Sequence, residues 1–156
     1  MLTTAGSGYT KWHNIVATRW REDSTCDNWG SYISLRDTRS GDVWSAGYQP
    51  IGIDPASYEV AFSESRAEFT RQDGTLKTTM EVAVSAEHDS DVRRVCITNL
   101  GARTRVIELT SYAELALVPH SDDAVHPAFS KLFVETDFVA GVSVLLLFRS
   151  AVGRLT

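Results

Sequence analysis

Cysteine is scarce in this 156-residue chain, with only Cys26 and Cys96. Two thiols cannot brace a disulfide framework, so the chain must be held by a core, and a reducing compartment is the expectation. Positive charge is also short: 15 Lys and Arg stand against 20 Asp and Glu, a net charge of −5. That balance excludes a dedicated nucleic-acid surface and a patch for anionic lipid. The longest apolar run, residues 142–148, is far too short to span a membrane. The opening Met1-Leu2-Thr3-Thr4-Ala5-Gly6 has neither the basic start nor the apolar stretch of a signal peptide. Proline, four residues in all, never clusters into a linker, and no repeat or low-complexity tract divides the chain. No Gly-x-Ser-x-Gly, Walker or zinc pattern occurs, so no cofactor or metal and no self-sufficient catalytic constellation is expected.

What is present is ordinary globular composition, 43% apolar and 22% charged, at a length that suits one domain. The period of the apolar residues is close to 2 throughout. Leu76, Thr78, Met80, Val82 and Val84 alternate with Lys77, Thr79, Glu81, Ala83 and Ser85; Tyr58, Val60 and Phe62 alternate with Glu59 and Ala61. Ile107, Leu109, Ala113, Leu115 and Leu117 share one parity, as one bent strand or two. Turn signals agree. Asp73-Gly74 predicts a tight hairpin between 66–72 and 75–85 with φ > 0 at both central positions, Asn99-Leu100-Gly101-Ala102 a hairpin between 92–98 and 103–109, and Ser40-Gly41-Asp42 a third. Segments 131–139 and 142–149 read as two more strands around Ala140-Gly141, and no helix is expected. The fold class is all-β, an antiparallel β-sandwich over 1–156. Leu2-Thr3-Thr4 reads as the end of a strand without its beginning, and 150–156 offers nothing to close a sheet, so the expectation is a fragment of a much larger protein.

The aromatics are uneven. All four Trp and three of the five Tyr fall within the first 48 residues, whereas every Phe lies at 62 or beyond. The late Phe residues are expected in the core and the early rings on one polar, loop-rich face. Residues 6–32 hold Trp12, Trp20 and Trp29 with Tyr9, Tyr32, Arg19, Arg21, Asp23 and Asp27, the kit of a sugar site: rings for the C–H faces, fixed polar groups for hydroxyls. Trp12 and Trp20 fit equally as core residues of edge strands; Trp29, in an evident loop, is the better ligand contact. Gly6-Ser7-Gly8 lacks the rest of a phosphate loop, which leaves a turn allowing close backbone approach to a ligand. Arg19 and Arg21, two apart on one strand, either clamp an anion or form an exposed edge paired with Glu22 and Asp23. His120 and His126 with Asp122 and Asp123 are poorly spaced for a metal and read as a solvated loop. His13 and His88 read as surface residues, Cys96 as core.

The blocks Gly8-Tyr9-Thr10-Lys11-Trp12, Ala17-Thr18-Arg19-Trp20-Arg21-Glu22-Asp23, Asp27-Asn28-Trp29-Gly30-Ser31-Tyr32, Gly41-Asp42-Val43-Trp44-Ser45-Ala46-Gly47-Tyr48 and His126-Pro127-Ala128-Phe129-Ser130-Lys131-Leu132-Phe133 closely resemble the cyclic β-1,2-glucan synthases. The likeness is to the first part of their phosphorylase-like region, related to cellobiose and chitobiose phosphorylases, and covers about residues 2–138. It implies a galactose-mutarotase-like supersandwich, here a partial one, without a catalytic residue of its own. The implied setting is a membrane-bound parent enzyme, on the cytoplasmic side of a bacterial inner membrane, with a downstream helical-barrel catalytic domain and possible homodimerisation. The resemblance places sugar contacts in the Gly8-Tyr9 turn, in Arg19 to Asp23, and in Ser121 to Phe129. With Trp12, Asp27 and Trp29 from the aromatic and polar cluster, the expected contacts are Gly8, Tyr9, Trp12, Arg19, Arg21, Asp23, Asp27, Trp29 and Phe129, and the implied ligand is a β-1,2-glucan or oligosaccharide. Two other functions fit the residues. One is a purely structural interface; the other is a mutarotase-type enzyme, which would need His120 or His126 to converge with Glu108 or Glu114.

Overall fold

The computed structural model of the chain describes residues 1–21, 23 and 25–150. The first strands are short: β1 (Lys11–Trp12), β2 (Ile15–Thr18), β3 (Ser31–Asp37) and β4 (Val43–Ser45). Four longer strands follow, β5 (Ser57–Phe62), β6 (Arg66–Asp73), β7 (Leu76–Val84) and β8 (Asp91–Asn99). Then come β9 (Ile107–Ala113), β10 (Leu115–Pro119), two short helices α1 (His120–Val125) and α2 (Pro127–Lys131), and a last pair β11 (Val134–Val139) and β12 (Val144–Arg149). All named pairings are antiparallel: a four-stranded meander β5-β6-β7-β8, a sheet β4-β3-β9, a small sheet β1-β2-β10, and the ribbon β11-β12.

The sandwich forms because two sheets each offer one apolar face. From the meander come Ala67, Phe69, Leu76, Met80 and Val82; from the opposite sheet and its exit come Leu35, Trp44 and Ala46. The alternation in β7 falls as its sequence requires, with Leu76, Thr78, Met80 and Val82 buried and Lys77 exposed between them. Trp44 crosses the core and donates its indole N–H to Thr78 Oγ1 at 3.2 Å, so a buried hydroxyl meets a buried donor. Val16, Ala116 and Val118 make a separate small core beneath β2 and β10.

The predicted fold class holds, and several details differ. The β3–β4 hairpin at Ser40-Gly41-Asp42 is present. The β6–β7 hairpin is shifted by one residue: Asp73 still pairs with Leu76, the loop is Gly74-Thr75, and Gly74 (φ +58°) is the position that needs left-handed backbone. The Asn99 turn is no hairpin. β8 pairs with β7 and β9 pairs with β3, so residues 100–106 carry the chain from one sheet to the other. Arg105 anchors that crossing on Asp37 (Nη1 to Oδ2, 2.5 Å), and the Thr38 N–H donates to Val106 O at 3.0 Å. A local turn signal cannot distinguish a return from a crossing. The stretch from Ile107 divides into β9 and β10, which join different sheets. The segment His120–His126, expected as a solvated loop, forms α1, and an unexpected second helix α2 follows, with Pro127 opening it where its missing N–H costs nothing. Cys96 is exposed, because it lies on the outward face of edge strand β8.

The aromatic expectation is corrected most. Of the Phe residues only Phe69 is fully buried; Phe62, Phe129, Phe138 and Phe148 are exposed. Trp44 and Tyr32, from the front of the chain, are core residues instead.

Candidate functional site

Two loops, 1–8 and 25–29, are stitched together at the front of the molecule. Gly8 has φ +147°, and a Cβ built there would lie 2.1 Å from the Met1 carbonyl oxygen, so no side chain fits. The close approach that this glycine permits is therefore to the chain's own backbone, which corrects the expectation that it serves a ligand. The Gly8 N–H donates to Trp29 O at 2.8 Å, Thr3 Oγ1 donates to Asp27 Oδ2 at 2.7 Å, and buried Ser7 donates to Asp27 O. Ser7 Oγ also lies 3.1 Å from the Tyr32 hydroxyl, whose pKa burial raises. Asp27 thus holds loop to loop.

Arg19 is the second correction. It follows β2 instead of sharing a strand with Arg21, and it is 2% exposed. Its Nε and Nη2 donate to the two carboxylate oxygens of Asp123 at 2.7 and 2.5 Å, Nη1 donates to Glu114 at 2.5 Å, and Nη2 also reaches Pro127 O at 3.2 Å. This bidentate fork raises the Arg19 pKa, chiefly through the Asp123 hydrogen bond. Burial pushes the Glu114 carboxyl up, but Lys131 (2.5 Å) and Arg19 outweigh it and hold it below its ordinary value. Arg19 pins α1 and α2 to Glu114 at the β9–β10 junction and does not present its guanidinium as an anion clamp. Arg21 is exposed and stacks over Trp29, 5.5 Å from the ring centre. Asp23 accepts the N–H and hydroxyl of Thr25 at 2.8 and 2.6 Å, which lowers its pKa; Glu22 lies outside the described residues. Phe129 is exposed on α2, with Phe133 edge-on at 5.0 Å.

Tyr9 and Trp12 face a cleft of about 1100 Å³. One wall is the segment 9–12. The other comprises the β5–β6 turn, with Phe62 and Arg66, and the β7–β8 connection, with His88 and Asp89. Trp12 is 53% exposed, which decides its open alternative: it is no core residue. Of the predicted residues, then, Tyr9 and Trp12 share the cleft, while Gly8, Asp27, Trp29 and Arg21 meet in the loop junction beside it. Arg19 and Phe129 belong to the helical segment. Phe62, expected in the core, His88, read only as a surface residue, and Asp89 were not singled out for the site, because they reach the cleft from parts of the chain distant in sequence, where no local pattern marks them.

A smaller hollow of about 480 Å³ lies elsewhere, lined by Asp37, Asp54, Asp73 and Arg105 among others. Three of its four acids are engaged: Asp37 by Arg105, Asp54 by the Tyr48 hydroxyl (3.0 Å), and Asp73 by buried Arg71 (2.7 Å). Arg71, fully buried, also donates to the carbonyls of Gly47 (2.6 Å) and Ile53 (3.2 Å), a structural role legible only in its two-residue spacing from Asp73. Among the described residues no group of three or more His, Cys, Asp or Glu could hold a metal ion. No described hydrogen bond links His120 or His126 to Glu108 or Glu114; Glu108 instead faces Arg36 at 3.6 Å.

Residues 1–153 match the family described as glycosyl hydrolase 94, supersandwich domain. The chain belongs to this family. The match reaches beyond the 2–138 expected from the sequence blocks. The supersandwich domain is 39% identical over 150 residues to the cyclic β-(1,2)-glucan synthase NdvB of Rhizobium meliloti (strain 1021), covering 96% of this chain and 5% of that protein. It is 30% identical over 147 residues to an N,N'-diacetylchitobiose phosphorylase of Vibrio furnissii, covering 91% of this chain and 18% of that one. A 3-O-β-D-glucopyranosyl-β-D-glucuronide phosphorylase of Paenibacillus borealis shares 28% over 78 residues, covering 50% of this chain and 10% of its own. The supersandwich domain therefore spans a small part of its relatives' length. Among the described residues no helix is long and apolar enough to cross a membrane.

Proposed function

We propose that this supersandwich domain is a non-catalytic accessory of a larger carbohydrate-active enzyme of the cyclic β-1,2-glucan synthase kind, contributing sugar contacts to glucan chain transfer and phosphorolysis. The observation that carries this reading is the partly exposed aromatic front, Tyr9, Trp12 and Trp29, in a chain whose relatives are named for glucan and diacetylchitobiose. Rings that stay wet beside fixed polar groups suit a pyranose better than a protein core. In this reading Gly8, Asp27 and Arg19 position the loops, while Tyr9, Trp12, Arg21, Asp23, Trp29 and Phe129 lie where sugar would be met. The catalytic acid belongs to a helical-barrel domain of the parent, which works at the cytoplasmic face of the inner membrane.

The test is a titration of the 156-residue chain with β-1,2-linked gluco-oligosaccharides, followed by Trp fluorescence. A saturable change in the millimolar range or below is expected; no change at millimolar sugar overturns the reading. A second reading, a structural interface to the helical barrel or a dimer partner, is favoured by a separate observation. Phe138, Val144, Leu145, Leu146, Leu147 and Phe148 are all exposed on β11 and β12. It predicts concentration-dependent association in light scattering, and a clean monomer over a wide range counts against it.

A further inference from the structure

We infer that the cleft facing Tyr9 and Trp12, more than the Arg21–Trp29 loop, is where the domain holds sugar, and that it takes a neutral oligosaccharide of several units lying across Trp12 and Phe62. This deepens the sugar-contact reading and rests on it.

Four observations converge. The first is the rings. Three aromatic side chains line the cleft, and each contacts another ring: Tyr9 with Trp20 (5.7 Å), Trp12 edge-on with His13 (4.4 Å), and Phe62 edge-on with core residue Phe69 (6.3 Å). Trp12 and Phe62 are each 53% exposed, so their surfaces are open, and Phe62 is held against buried Phe69. Rings ordered before binding lose little entropy on meeting a sugar.

Second, the cleft has a braced frame. Thr10 Oγ1 donates to Asp91 Oδ2 at 3.0 Å, and Arg93 donates to Ser31 O, so the meander is tied to the front loops. Arg66 is held by Glu81 at 3.5 Å. Third, free polar groups remain. Lys11, Glu64, His88 and Asp89 line the cleft, and their side chains have no hydrogen-bond or ion-pair partner among the described residues. They supply both donors and acceptors, as hydroxyl recognition requires.

Fourth, charge and size select the ligand. Glu64, Asp89 and Asp91 balance Lys11, Arg66 and Arg93, which gives neither a phosphate nor a uronate a net attraction. A volume of about 1100 Å³ slightly exceeds the usual range of ligand sites, roughly 300–1000 Å³, and leaves room for more than one sugar ring.

The experiment is isothermal titration of the 156-residue chain with β-1,2-linked glucotetraose, comparing the unaltered chain with Trp12→Ala, Phe62→Ala, Asp89→Asn and Trp29→Ala. Trp12→Ala and Phe62→Ala are each expected to weaken binding roughly five- to tenfold, and Asp89→Asn by a smaller factor. Circular dichroism should be unchanged, since Trp12, Phe62 and Asp89 are exposed; Asp89→Asn still reports on the cleft should a ring variant fold poorly. Binding lost in Trp29→Ala while the three cleft variants bind like the unaltered chain overturns this inference and leaves the sugar-contact reading intact. No saturable binding by the unaltered chain overturns both.

Discussion

Strands β6 and β12 invert the usual relation between hydrophobicity and burial. β6 reads Arg66-Ala-Glu-Phe-Thr-Arg-Gln-Asp73, with only Ala67 and Phe69 strictly apolar, yet both are buried and Phe69 is wholly inaccessible. β12 reads Val144-Leu-Leu-Leu-Phe-Arg149, the most apolar strand of the molecule, and none of its apolar residues is buried. The difference is the second layer. β6 lies inside a four-stranded meander whose face is covered by β3 and β4. β12 pairs with β11 alone, and among the described residues no further strand joins that ribbon. Its unalternating run is the pattern of a strand covered on both faces, not of one half-buried. Composition states how much a strand has to bury; topology decides whether it does.

The largest expected effect breaks the comparison if it fails. Phe69→Ala removes a fully buried ring at the centre of the sandwich and should cost about 3–5 kcal/mol in urea unfolding, from the lost transfer energy and the cavity left behind. A cost under about 1 kcal/mol would mean that the meander and the β3–β4 sheet are not packed around it.

How much of this was legible in the sequence follows the same division. Alternation along β7 and the Ser40-Gly41-Asp42 and Gly74 turns made the β3–β4 and β6–β7 hairpins legible, because those are local matters of period and φ, whereas the pairing of β8 with β7 was not. The partner of β9 was not legible, since Asn99-Leu100-Gly101-Ala102 carries the same residues whether the chain returns or crosses. The Phe residues misled for a related reason: a ring's burial depends on a covering layer from elsewhere in the chain. In the site, Tyr9 and Trp12 were marked by their polar company, whereas Phe62, His88 and Asp89 reach the cleft from distant parts of the chain. Arg19 looked like a ligand contact because its partners, Glu114 and Asp123, lie about a hundred residues further on.

That ion cluster gives an intermediate effect, between core and ribbon. Arg19→Ala leaves the Asp123 carboxylate buried without a counter-charge, and about 3 kcal/mol of destabilisation is expected, the low end for a broken buried pair because Glu114 is partly reached by solvent. Acid should attack the same cluster. The Glu114 pKa is lowered in the folded state from 4.5, so its contribution is fully present above that pH and is lost as the pH falls through the lowered folded value. Asp37, held low by the Arg39 N–H and by Arg105 at the other sheet, adds a loss of the same sign, so the comparison must be made against Glu114→Gln. The variant should be less stable than the unaltered chain at pH 7 and should lose less on acidification. Parallel melting curves for the two chains from neutral to acid pH would remove Glu114 from the account.

The smallest effect on stability sharpens the comparison from the other side. Leu146 stands on β12 opposite Asp137 of β11 and is 45% exposed. Leu146→Ser removes apolar surface that the fold does not bury, so unfolding free energy should change by no more than about 0.5 kcal/mol. What should change is association. The exposed run from Val144 to Phe148 is an uncharged template with one edge unpaired among the described residues, and an edge of that kind invites pairing with another chain. A polar residue in its middle should lower the scattered intensity of a concentrated sample while leaving the urea midpoint in place. A Leu146→Ser chain destabilised by 2 kcal/mol or more, on the order of a buried leucine's loss, would show that the ribbon is covered in solution by the rest of this same chain, and the contrast with Phe69 would collapse.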